Sequence, residues 1–133
     1  MIRKGRFAVW NGKEYPLLSQ RRKYYLQSVN PEDKEIGFVE MGTRGYFFKE
    51  ISTDDLEDAY EVFPYALLSG YRFALESYEK ETRIVTFVTN NPFAQKKVPV
   101  SLHGNEFRID IPMDQVEILE DRIPILGFES INR

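Results

Sequence analysis

A chain of 133 residues, 42% hydrophobic and 14% aromatic, is long enough for one ordinary domain or for two very small ones sharing a core. It contains no cysteine, which excludes disulfides, thiolate metal sites and a cysteine nucleophile, and suits a reducing compartment. A net charge of −3 weighs a little against nucleic acid as a partner, and no apolar run is long enough to predict a membrane-spanning helix. The basic start, residues 1–15, lacks the apolar stretch of an export signal, so a cytoplasmic location is expected.

In chain order, the first element is "FAVWNGKEYPL", Phe7 to Leu17. Phe7 and Val9 alternate with Ala8 and Trp10 as strand residues do, Asn11-Gly12 predicts a hairpin with a type I′ turn, and Pro16 forbids a helix. A basic long loop, "SQRRK", is expected next, then a strand "YYLQSV" stopped by Asn30-Pro31. A further strand, "GYFFKEI", leads into a single-turn element "STDDLE", with Asp54 expected as its backbone cap. Tyr24-Tyr25 and Tyr46-Phe47-Phe48 are adjacent aromatics. Because strand neighbours face opposite sides, at least one ring of each set is expected to leave the core, either to pack on another unit or to form a binding surface.

The same order then recurs. "YALLSGYRFAL" aligns Tyr65 with Phe7, Gly70 with Gly12 and Leu75 with Leu17, and "VTFVTNNP" repeats "YYLQSVNP". "NEFRIDIPMDQVE" repeats "GYFFKEISTDDLE", with Asp114 matching Asp54. Collinear blocks of this kind predict a duplicated β-unit. The twin decides an ambiguity: "LEDAYEVF" alone has helical spacing, but the hairpin signal of its neighbour makes the junction "DAYEVFPYALL" β-structure, with Pro64 where the chain passes from one unit to the next.

The expected fold is therefore all-β, with a first repeat over residues 1–62 and a second over 63–133. Each holds about five short strands and a one-turn 3₁₀ element before its last strand. Units this small bury little surface alone, so the two are expected to pack as one globular body. The element order resembles that of tandem SH3-like small β-barrel proteins of bacteria. The resemblance is one of architecture: where the family's "ALYDY" peptide-binding signature would stand, this chain has "FAVWN" and "YALLS". It implies that a ligand would use the long loop after the first hairpin and the face beside the 3₁₀ turn.

Motifs for chemistry are sparse. His103 is the only histidine, and no histidine or carboxylate spacing suits a metal. No nucleophile elbow or phosphate-binding glycine loop occurs, so no catalytic residue, metal or cofactor is expected. Charge is more telling. Residues 1–23 carry seven bases and one acid, whereas 50–61 carry six acids and no base. Trp10, the basic loop and the acidic run are also peculiar to the first repeat. On those differences Trp10, Arg21, Arg22, Tyr24, Asp55, Glu57 and Asp58 are expected to form a partner-binding face of a non-catalytic protein-binding module.

Small, acidic, cysteine-free chains also resemble bacterial immunity proteins, which implies a more specific partner: a basic toxin domain whose site is filled by carboxylates from the Asp54 to Glu61 run. The alternative reading is nucleic-acid binding, as in other small barrels of the Tudor, KOW and Sm-like kind, using Lys4, Arg6, Arg21, Arg22 and Lys23 with Trp10 or Tyr24 stacked on bases. The oligomeric state has no signature in the sequence.

Overall fold

The computed structural model describes residues 2–130 and is all-β, as expected, with eleven strands and short 3₁₀ turns among those residues. The first unit contains β1 (Gly5–Trp10), β2 (Lys13–Gln20), β3 (Lys23–Ser28), β4 (Val39–Glu40), β5 (Phe47–Ile51) and the first half of β6 (Asp58–Leu68). Its antiparallel order is β4-β5-β3-β2-β1-β6. The second unit contains the other half of β6, then β7 (Tyr71–Glu79), β8 (Ile84–Thr89), β9 (Ser101–His103) and β10 (Glu106–Pro112), in the order β6-β7-β8-β10-β9. β11 (Leu119–Pro124) pairs with β6. Pro64, which has no N–H to give to a ladder, lies between the residues of β6 that pair with β1 (ending at Val62) and those that pair with β7 (starting at Tyr65).

The hairpin turns follow their residue types. Trp10 pairs with Lys13 across Asn11 (φ 54°) and Gly12 (φ 75°), and Leu68 pairs with Tyr71 across Ser69 (φ 51°) and Gly70 (φ 85°). Two left-handed residues in a two-residue loop match the right-handed twist of the flanking strands, as type I′ requires. The expected long loop "SQRRK" is not a loop. Gln20 pairs with Lys23, and only Arg21 (φ 52°) and Arg22 (φ 66°) turn the chain. Polar residues at an exposed strand end had the composition of a loop, while the ladder continued through them.

Each Asn-Pro that stops a strand also starts a 3₁₀ turn. The Asn30 side chain accepts the Glu32 N–H before Pro31–Ile36, and Asn91 accepts the Phe93 N–H before Pro92–Lys96. The shorter elements are 3₁₀ turns at Thr53–Asp55 and Met113–Gln115. The cap of the first is Ser52, whose Oγ accepts the Asp54 N–H at 3.3 Å, rather than Asp54 itself, and no side chain caps the second.

The chain ends depart from the simple division at Val62 and Phe63. Residues 2–4 group with the second unit: Arg3 binds the Glu120 carboxylate through two nitrogens, and Lys4 Nζ donates to the carbonyls of Leu75 and Glu76. Residues 122–130 group with the first, where the Ile125 N–H bonds the Ala59 carbonyl and Ile125, Leu126 and Phe128 pack on the core. Repeat alignment reads sequence order alone, so it assigns each end to its sequential neighbour.

Each unit has its own core. The first is built on Ala8, Tyr15, Leu17, Leu26, Phe38 and Phe47, and the second on Ala66, Phe73, Leu75, Val85, Phe87 and Val98. The first also buries polar groups. Asp33 accepts the Ser28 hydroxyl at 2.5 Å, and Ser28 Oγ accepts the Asn30 N–H at 3.0 Å, so this network is satisfied. The Tyr15 hydroxyl is buried and finds no hydrogen-bond partner among the described residues. Burial, and secondarily the negative charge of Asp33, push the Tyr15 phenol above its ordinary value of 10.

An acid whose pKa is raised on folding contributes stability that is complete below its unfolded value and is lost as pH rises through and above it. Independently of titration, Tyr15→Phe is expected to stabilise the protein by about 1 kcal/mol at neutral pH by removing an unsatisfied buried hydroxyl. It is also expected to lessen the loss of stability above about pH 10. Urea unfolding at pH 7 and at pH 10.5 measures both effects; a destabilised variant at neutral pH would mean that the hydroxyl has a partner.

Candidate functional site

Alternation along the strands of the first unit sends Tyr15, Leu17, Leu26, Phe47 and Ile51 into the core. Their sequence neighbours consequently face outward. Cross-strand register sets them side by side: Leu18 opposes Tyr25, Gln27 opposes Phe48, and Phe48 also opposes Val39 on β4. The segment between β4 and β5 is folded by its own bonds. The Met41 N–H donates to the Tyr46 carbonyl at 3.3 Å, the Tyr46 N–H to the Thr43 carbonyl at 3.2 Å, and the Gly45 N–H to the Glu40 carboxylate at 2.9 Å. This turn carries Met41, Thr43 and Tyr46 to the same side.

Together these residues line an open cleft of about 740 Å³, to which Ser19 and Gln20 of β2 also contribute. Its size is that of a ligand-binding cleft, about 300–1,000 Å³. Tyr25, Tyr46 and Phe48 supply ring faces, Leu18 and Met41 supply adaptable apolar contact, and Gln20 and Gln27 each offer a donor and an acceptor. None of the lining side chains carries a formal charge. What the cleft offers a ligand is shape, stacking and a few directed hydrogen bonds.

The residues expected to form a partner-binding face are distributed differently. Trp10 is half-buried against the first core, tilted on Tyr15 and Phe38 at centroid distances of 6.4 and 6.1 Å, with Lys49 Nζ 5.1 Å from its ring centroid. Tyr24 also packs against that core, and it pairs with Ile51. Asp55 is exposed in its 3₁₀ turn. The Glu57 carboxylate accepts the Gly12 N–H at 2.8 Å while the Glu57 N–H bonds the Val9 carbonyl at 2.8 Å, so this residue fastens the β1–β2 turn. The Asp58 carboxylate accepts the Ala59 N–H at 2.8 Å. Arg21 and Arg22 occupy the turn at the other end of β2, directly after the cleft residue Gln20. Of the seven, Arg21 and Tyr24 are direct chain neighbours of lining residues, Gln20 and Tyr25, and Arg22 follows Arg21 in the same turn.

Tyr24-Tyr25 and Tyr46-Phe47-Phe48 were legible as sets of which at least one ring must leave the core; that the rings at the cleft are Tyr25, Tyr46 and Phe48 comes from the pairing register. Leu18, Gln20, Gln27 and Met41 gave no such signal: a single exposed apolar or amide residue is ordinary on a strand. His103 is exposed on β9, and the described residues contain no cluster of metal-ligating side chains.

A family model described as Uncharacterised conserved protein UCP033725 matches residues 2–127. No curated protein and no solved structure matches the chain.

Proposed function

The chain belongs to that family, and we propose that it is a non-catalytic protein-binding module whose first unit receives a segment of a partner protein in the outer cleft. The observation behind this reading is the uncharged lining of rings, thioether and amides on the outward face of β2, β3 and β5. Aromatic anchors in a desolvated pocket supply most of the energy in protein recognition, about 2 kcal/mol or more for each hot spot. We also read the two units as repeats of one SH3-like small barrel, on the recurrence of hairpin, Asn-Pro 3₁₀ turn, edge strand and one-turn element in the same order. A cytoplasmic location belongs to the same proposal. It is supported by the absence of cysteine; no helix among the described residues is long and apolar enough to cross a membrane.

The inhibitor form of the protein-binding reading draws less from the geometry, since Glu57 and Asp58 are bonded to the chain's own amides and Tyr60 is buried. The nucleic-acid reading likewise has Lys4 bound to backbone carbonyls, Arg6 donating to Ser19, and Trp10 and Tyr24 against the core.

The proposal is tested by capture from the native lysate with the wild-type protein, Leu18→Asp and Leu67→Asp. Leu18 is at the cleft and Leu67 is an exposed residue of β6 in the second unit. Wild type and Leu67→Asp are expected to retain the same stoichiometric partner, and Leu18→Asp to lose it. Equal capture by all three would overturn the assignment.

A further inference from the structure

We infer, resting on the protein-binding reading of the cleft, that the segment it takes is apolar at its centre and acidic at its flanks. Inside the cleft an uncharged lining rewards an aliphatic or aromatic side chain and penalises a buried charge. The cleft's borders are different. Arg21 and Arg22 follow the lining residue Gln20, Arg44 follows the lining residue Thr43, and all three are exposed. No carboxylate pairs with any of them among the described residues. The neighbouring acids are fewer: Glu50 lies 3.6 Å from Lys23 Nζ, which it offsets, and Glu40, whose carboxylate accepts the Gly45 N–H, leaves one negative charge against the three arginines. The uncompensated charge at the border is therefore positive on a chain whose net charge is −3. Acidic flanks on the partner would complement it and would speed encounter.

The backbone points the same way. Arg21 and Arg22 hold φ values of 52° and 66°, the two left-handed positions of a two-residue turn that elsewhere in this chain is built from Asn11-Gly12 and Ser69-Gly70. Arginine has no local hydrogen bond that eases this conformation, so each position is strained relative to asparagine or glycine. The chain keeps the strain and with it two exposed arginines in the turn that follows the lining residue Gln20. Single-stranded nucleic acid also combines rings with arginines, but its phosphates follow the stacked bases through a basic groove, and this lining holds no cation.

Fluorescence anisotropy with the full chain tests the inference. The probes are labelled synthetic peptides with a leucine–serine–phenylalanine centre flanked by aspartates, by serines or by lysines, together with labelled oligothymidylate. The aspartate-flanked peptide is expected to bind about tenfold more tightly than the serine-flanked one, with the lysine-flanked one weakest and the advantage shrinking as salt rises. In Arg21→Asn/Arg22→Gly the aspartate advantage is expected to shrink to the smaller part that Arg44 supplies while the melting temperature rises, which separates loss of charge from misfolding. Peptides that bind alike whatever their flanks, yet are lost in Leu18→Asp, would overturn the inference and leave the protein-binding reading standing. No binding of any peptide would overturn both. Oligothymidylate binding more tightly than the aspartate-flanked peptide would also overturn both, in favour of nucleic acid.

Discussion

Phe87→Ala is expected to lower stability by about 3–5 kcal/mol, a large part of the roughly 5–15 kcal/mol that a domain has. Phe87 is fully buried at the centre of β8, opposed by Leu75 on β7 and by Ile109 on β10, in a core with Phe73 and Val85. Strand pairing on both sides holds the backbone in place, so the cavity left by the ring has little room to collapse. Phe93 supplies the comparison. It lies outside the core and is 61% exposed, so Phe93→Ala is expected to change stability by less than about 0.5 kcal/mol. Urea midpoints with an unchanged slope measure both. Equal effects would mean that the second core is not where the structure places it.

The second large effect concerns binding. Phe48→Ala is expected to weaken the partner complex by about 2–4 kcal/mol, roughly thirtyfold to a thousandfold, and to cost much less in folding. Phe47→Ala is expected to do the reverse. The two residues are adjacent on β5, but Phe47 is 3% exposed in the first core whereas Phe48 lines the cleft. Affinity by calorimetry and stability by urea unfolding, run on both variants, separate the two roles. A Phe48→Ala protein as unstable as Phe47→Ala would show that the ring is structural.

The fold was readable where the sequence carries signals of local geometry. Asn11-Gly12 and Ser69-Gly70 marked tight turns because their residue types tolerate left-handed backbone, and the collinear repeat overrode the helical spacing of "LEDAYEVF". Arg21-Arg22 was not readable as a turn, since arginine has no preference for the conformation it adopts there. The site was half legible. Alternation requires Tyr25 or Tyr24, and Phe48 or Phe47, to face outward, but which ring does so depends on register, and register is set by pairing partners distant in sequence. Trp10 read as an interface residue by its type; that it is half-buried and packs on Tyr15 and Phe38 was not readable. Glu57 read as part of a charged surface, and it is exposed, but the bond from its carboxylate to the N–H of Gly12, forty-five residues away, was not readable. Contacts of such separation leave no trace in local pattern.

The most direct test of the cleft as the binding surface is photocrosslinking in native cells. Benzoylphenylalanine replaces Tyr46, an exposed residue of the cleft wall, or in a separate strain Phe93, an exposed residue of the second unit. Irradiation is expected to give one discrete protein adduct from position 46 and none from position 93. The same adduct from position 93, with none from position 46, would contradict the assignment of binding to the cleft.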